Sequence, residues 1–277
     1  MSSSRWLFTL QVLAYAGFPL YFATLRSGMR LVLLYLYVGV VLTVGGFLGS
    51  VHGYPLTDGV VVSSGSVSYG ALMMSTVVLV VVGNEVQVVR NVVRIVVVVN
   101  VFKVVLFEIT ARALRSDRFP NPYDTAPEVF GVSLRVVFVG GTLIVLELLL
   151  LLVVFERVSR RVARSEIRAA AYVAGFVAVL CLDGLAFPVL VDTTAEDLGA
   201  LIWSGVQAKF ILAIAYSVPL VVFLVAFRGT ISAYAATPMR FQELLFAPKH
   251  EVVERLRREE EARRASDRQL RTGNVLA

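Results

Sequence analysis

Residues 169–227 read AAAYVAGFVAVLCLDGLAFPVLVDTTAEDLGALIWSGVQAKFILAIAYSVPLVVFLVAF. Two apolar runs flank a short acidic loop at residues 192–197, and each run is long enough to cross a bilayer as a helix. Each run also carries one charge that hydrocarbon does not tolerate alone, Asp183 in the first and Lys209 in the second. With the loop at the membrane edge, a rise of roughly 1.5 Å per residue places Asp183 about 12 Å and Lys209 about 14 Å below it. Helices joined by so short a loop run antiparallel, so the opposite charges meet at nearly the same depth. An ion pair is expected there. Two roles are open to it: lining a cavity that binds or gates a polar ligand, or fixing two helices in register.

The pattern continues outward. Hydrophobic residues make up 57% of the 277 residues, and the mean hydropathy is +0.78. That combination excludes a soluble domain and indicates a polytopic α-helical membrane protein. Apolar runs fall at residues 6–25, 31–51, 67–83, 92–114 and 132–155, ahead of the two already quoted. The first run resembles a signal peptide, but it continues unbroken through Phe18, Leu20, Tyr21 and Phe22, which favours a span. Gly45 and Gly49 stand at a spacing that permits close helix packing. Residues 52–66 read as a loop. The valine-rich part of the fourth run has strand composition, yet an unpaired strand cannot cross a bilayer, so a helix is expected. The expected fold class is an all-α integral membrane bundle of seven transmembrane helices over residues 1–228, followed by a cytoplasmic charged tail over 229–277.

Charge sets the expected orientation. Arg26 and Arg30, Arg90 and Arg94, and the group Arg157, Arg160, Arg161, Arg164 and Arg168 mark alternate loops, and the tail is also basic. Arg112, Arg115 and Arg118 are the exception. The majority puts the N-terminus outside and the C-terminus in the cytoplasm of a multi-pass cell-membrane protein. Trp6 and Trp203 then both fall at the outer interface. The net charge of +6 belongs to this topology and to anionic lipid, so nucleic acid is not an expected partner. In the tail, Glu251/Arg255, Glu254/Arg258, Glu259/Arg263 and Glu260/Arg264 are four residues apart in the favourable order, which predicts a solvated helix.

Chemistry is sparse. Cys181 is the only cysteine, and His52 and His250 are far apart, so no metal or cofactor is expected. No nucleophile, phosphate-loop or metalloprotease motif is present, and an enzyme is not expected. The candidate ligand-binding residues are the polar ones inside the spans. Lys103 and Glu147 form a second candidate pair: the same rise puts Glu147 about 22 Å and Lys103 about 16 Å below the outer edge, with Asn100 closer in depth to Glu147. Ser68 and Thr76 lie with Tyr69 and Ser75 on one polar face of the third run. Glu108 has Arg112 one turn away, a surface pair.

Several short motifs, taken in order, resemble the VUT family of membrane proteins, the queuosine-precursor uptake transporters. The third run carries Gly65-x-x-Ser68-Tyr69 followed by Thr76, and the fifth ends in Val154-Phe155-Glu156-Arg157 before its basic loop. The sixth has Asp183 and Phe187, and the seventh has Lys209 and a later Pro219. The resemblance covers roughly residues 65–227 and implies a fold like that of vitamin-uptake components. It also implies a small polar ligand, purine-like or vitamin-like, at Asp183 and Lys209. The chain departs from that pattern at Val77 and Val81, where the family commonly carries charge, and in its long charged tail. The segment from Ala247 to Arg257 looks like the linkers that join membrane sensors to signalling modules. A sensory input domain is therefore the expected function, acting through the tail on a cytoplasmic partner or a second copy of the chain. Uptake of the solute is the alternative.

Overall fold

The computed structural model describes residues 3–25, 27–57, 59–83, 86–130, 134–162, 164–191 and 197–236. Most of the acidic loop and the charged tail lie outside these residues. The first compact unit spans Met1–Met239, and the second covers Arg240–Ala277. The helices are α1 (Ser3–Ala23), α2 (Ser27–Val51), α3 (Ser64–Gly83), α4 (Val86–Leu114), α5 (Leu134–Arg161), α6 (Ser165–Val191), α7 (Leu198–Ala226) and the short α8 (Arg228–Ala236). The valine-rich run is helical, within α4.

Six of these helices are long and apolar enough to cross a membrane: α1, α2, α3, α5, α6 and α7. The chain is an α-helical, multi-pass membrane protein. α4 is as long as α7, but Arg90, Arg94, Lys103, Glu108 and Arg112 lower its hydropathy and set it apart from the six. Pro19, Pro188 and Pro219 lie inside helices, as lipid-embedded helices tolerate when neighbours satisfy the freed carbonyls.

α3 is the centre of the bundle. Apart from Tyr69, every residue from Val67 to Val82 is buried. Its small residues allow this, because they let neighbouring backbones approach. A Cβ on Gly65 would lie 2.9 Å from the Gly49 Cα, so α2 and α3 touch backbone to backbone at the expected glycine spacing. On the other flank, Tyr216 of α7 lies against Gly70 and donates a hydrogen bond to the Val67 carbonyl at 2.9 Å.

Two segments differ from the sequence-based expectation. Residues 52–66 are not a simple loop: β1 (Gly53–Thr57) and β2 (Val60–Ser63) form an antiparallel hairpin with Tyr54 opposite Val62. Tyr54, Leu56, Val60 and Val62 point inward in strict alternation, which is the period of a half-buried strand. The hairpin is tied to α1, where Ser4 Oγ donates to the Pro55 carbonyl at 2.9 Å and Arg5 Nε donates to that of Leu56 at 3.1 Å. The basic loop is also shorter than expected. α5 runs on to Arg161, helped by a Glu156–Arg160 ion pair at 2.6 Å one turn apart, and α6 begins by Ser165.

At the end of the bundle opposite the hairpin, α8 packs against α3, α5 and α7. It buries Tyr234, whose hydroxyl has no partner among the described residues. A buried unpaired hydroxyl costs stability. Tyr234→Phe is therefore expected to leave the unfolding temperature of the purified chain in detergent unchanged or raised, and a clear fall would reveal a partner for that hydroxyl.

Candidate ligand site

The site is assembled where α6 and α7 cross. A Cβ on Gly184 would lie 2.8 Å from the Gly205 carbonyl oxygen, and one on Gly205 would lie 2.7 Å from that of Gly184. At this contact the helix axes are as close as backbones permit, and the register is fixed. Asp197 caps the start of α7 by accepting from the Ala200 N–H at 2.9 Å. Asp183, one residue before the first glycine, and Lys209, four after the second, face each other and form an ion pair. Both are buried.

The pair does not stand alone. The Lys209 ammonium lies over the ring of Tyr69 from α3, 4.0 Å from its centroid, a cation–π contact. The Tyr69 hydroxyl donates to Glu147 Oε2 of α5. Glu147 is buried, and its Oε1 has no hydrogen-bond partner among the described residues. Four helices thus contribute to one cluster holding two carboxyl groups, one ammonium and one phenol. If both acids are ionised, the cluster carries one negative charge in excess.

Above the cluster lies a cavity of about 690 Å³, within the range of small-molecule sites. Tyr69, Asp183 and Lys209 line it at depth, Gly46 lines one wall and Phe187 another, and Ser63 of the hairpin lines its outer part. All of its lining comes from the half of the bundle that carries the hairpin.

The other expected site residues are placed differently. Lys103 and Glu147 form no ion pair. Glu147 turns to Tyr69, while the Lys103 ammonium lies against α2, 2.7 Å from where a Cβ on Gly46 would be. Their place on consecutive antiparallel helices makes them candidate partners, but depth along a helix says nothing about the direction in which its face points. Asn100 sits against Gly141 between α4 and α5, with Nδ2 3.0 Å from a Cβ placed there. Ser68 lies 3.0 Å from the Tyr15 hydroxyl and 3.1 Å from the Ser64 carbonyl, on the α1 side of α3. Thr76 donates to the Leu72 carbonyl of its own helix at 2.9 Å. Neither lines the cavity. Glu108 and Arg112 form an exposed pair at 2.6 Å, as their spacing suggested.

A family model described as vitamin uptake-like sensor matches residues 17–224. The chain belongs to the vitamin uptake-like sensor family. No curated protein and no solved structure matches it. The vitamin uptake-like sensor match begins within α1 and ends within α7, so it contains Tyr69, Glu147, Asp183 and Lys209 and leaves out α8 and the tail. It agrees with the resemblance to vitamin-uptake-type proteins and makes the chain a transporter-like sensor module.

Tyr69 is the residue that sequence reasoning missed. It was visible on the polar face of the third run, but only as a neighbour of Ser68. The available signal was that a tyrosine hydroxyl deep in a span needs an acceptor, and Glu147 is an acid at similar depth. Tyr69→Phe keeps the ring beneath Lys209 and removes the one donor to Glu147 among the described residues. It is expected to destabilise the chain by about 1–3 kcal/mol, read as a fall in chemical or thermal unfolding midpoint in detergent. An unchanged midpoint would mean that Glu147 is not held by Tyr69.

Proposed function

We propose that the chain is the input module of a membrane signalling system, with seven crossings, the N-terminus and hairpin outside, and the C-terminus in the cytoplasm. α4 is the seventh crossing. Val97, Val98, Val101, Phe102, Val105, Leu106 and Ile109 give it a continuous outward apolar stripe, while Lys103 and Phe107 turn inward. A small polar ligand, purine-like in the first instance, enters from the hairpin side and binds on Tyr69, Asp183 and Lys209 without being converted. Its contacts with Lys209 and Asp183 shift α6 against α7, and the tail beyond α8 passes the shift to a cytoplasmic partner or a second copy of the chain.

The observation that carries this reading is the placing of the charged cluster. Four helices meet at it, and α8, the last element before the tail, packs against three of those four at their other end. A change at the cluster therefore has a short packed route to the tail. The test uses the full chain in proteoliposomes with guanine, hypoxanthine and 7-deazaguanine as probes. The expected result is binding by at least one of them, lost in Asp183→Asn and in Lys209→Met, with no accumulation inside the vesicles. Accumulation of a probe would overturn sensing in favour of uptake. In intact spheroplasts the tail should resist external trypsin until the cells are opened, and cleavage beforehand would overturn the orientation.

A further inference from the structure

Beside the cavity stand, among the described residues, a buried ammonium without a partner and a buried carboxyl group held by only one of its oxygens. Lys103 is about nine-tenths buried, and among the described residues it makes no hydrogen bond and no ion pair. Its inward stripe on α4, Val92, Val96, Lys103 and Phe107, holds it against α2, and its ammonium abuts Gly46. Gly46 is itself part of the cavity wall. Having no side chain, it leaves that ammonium the space a Cβ would fill. On α5, Gly140 and Ile144 line the cavity, and Glu147 continues the same helix face one turn deeper, behind Tyr69. Its Oε1 is buried and, among the described residues, unpartnered. Asp183 and Lys209 satisfy each other and contribute no net charge.

An unpaired buried ion is among the costliest features a protein can hold; Lys103 is one, and Glu147, held by Tyr69 through Oε2 alone, stands near the same cavity. A direct Lys103–Glu147 pair would remove both costs, yet the helices keep them on different walls. We infer that the cavity is built for a small zwitterion, whose carboxylate or phosphate meets Lys103 at Gly46 and whose ammonium meets Glu147 beside Tyr69. This rests on the reading above that the cavity binds a small polar ligand, and it sets a zwitterion in place of the purine-like one. Charge-assisted hydrogen bonds at both ends would supply the affinity, and the distance between the ends would select ligand length.

The test is a ladder of unbranched amino acids with the amine on the α to the ε carbon, plus phosphoethanolamine, added to the full chain in lipid nanodiscs. Each is compared with its methyl or ethyl ester, which lacks one negative charge, and with its N-acetyl derivative, which lacks the cation. One length is expected to raise the unfolding temperature by about 5 °C near saturation. Its blocked derivatives should need about 100-fold more compound for the same shift. Lys103→Met and Glu147→Gln should each abolish the shift while unfolding no lower than the parent, because Met removes a charge without a partner and Gln keeps an acceptor for the Tyr69 hydroxyl. Gly46→Ala keeps the charge but displaces the ammonium, and it should weaken binding without changing the ladder's best length. The inference is overturned if no member of the ladder shifts the protein, if a blocked derivative works as well as its parent, or if Lys103→Met and Glu147→Gln both unfold several degrees lower. A neutral purine that binds where the ladder fails would retain the sensor reading and remove the zwitterion. Accumulation of a zwitterion in vesicles would do the reverse.

Discussion

Lys209→Met is expected to destabilise the chain by about 3–5 kcal/mol, because it leaves buried carboxyl groups without their cation. Asp183 loses its ion pair, and Glu147, joined to the same cluster through Tyr69, loses the nearest positive charge. Asp183→Leu should cost less, since Lys209 keeps the face of Tyr69 and has Glu147 beyond it. Asp183→Leu combined with Lys209→Met should recover most of the loss, because removing both members of a buried pair is often close to neutral. The measurement is a double-mutant cycle on unfolding midpoints in nanodiscs. Additive losses would mean that the two residues act independently, contrary to the ion pair. In the same set, ligand binding separates the two roles that the pair has on sequence grounds. A double variant that is stable and still binds its ligand would reduce the pair to a register device. One that is stable and binds nothing would make it part of the recognition surface.

The second large effect is at the α6–α7 crossing. Gly184→Val places a branched side chain where even a Cβ would lie 2.8 Å from the Gly205 carbonyl oxygen and 3.0 Å from Lys209 Cγ. The carbonyl is backbone and cannot rotate away, so the helices must separate. The expected cost is about 3 kcal/mol. Gly205→Val meets the same wall from the other side, 2.7 Å from the Gly184 carbonyl oxygen. Because both variants open one contact, their losses should not add. Separation also pulls Lys209 off Asp183 and Tyr69, so ligand binding should fall in parallel with stability. By contrast, Gly17, whose Cβ would meet nothing within 4 Å, should accept alanine without loss. A stable Gly184→Val that binds ligand normally would show that the two helices are not locked at this crossing.

Much of this architecture was legible in the residue order. Bilayer thickness fixes the length of an apolar run, so long runs between charged or Gly/Pro-containing segments identify the helices whatever packs around them. Asp183 and Lys209 were predictable partners because a six-residue acidic loop leaves consecutive helices little choice but to lie antiparallel and side by side. Gly45 and Gly49 announced a close contact because only small residues allow one, and α3 supplies the matching Gly65.

The tertiary structure decided everything that depends on azimuth and on non-consecutive neighbours. Lys103 and Glu147 have compatible depths, and only the rotation of α4 and α5 sends one to Gly46 and the other to Tyr69. Ser68 and Thr76 share a helix with Tyr69, yet one faces α1 and the other is satisfied within α3. The hairpin was hidden because its alternation spans only a few residues around Pro55 and Gly59, and it gains its order from pairing and from α1. Periodicity and hydropathy are properties of one segment read along its own axis. A site is a meeting of faces from several segments, so its membership is set by how they pack. That is why Tyr69 joined the cluster only once α3 was placed at the centre of the bundle.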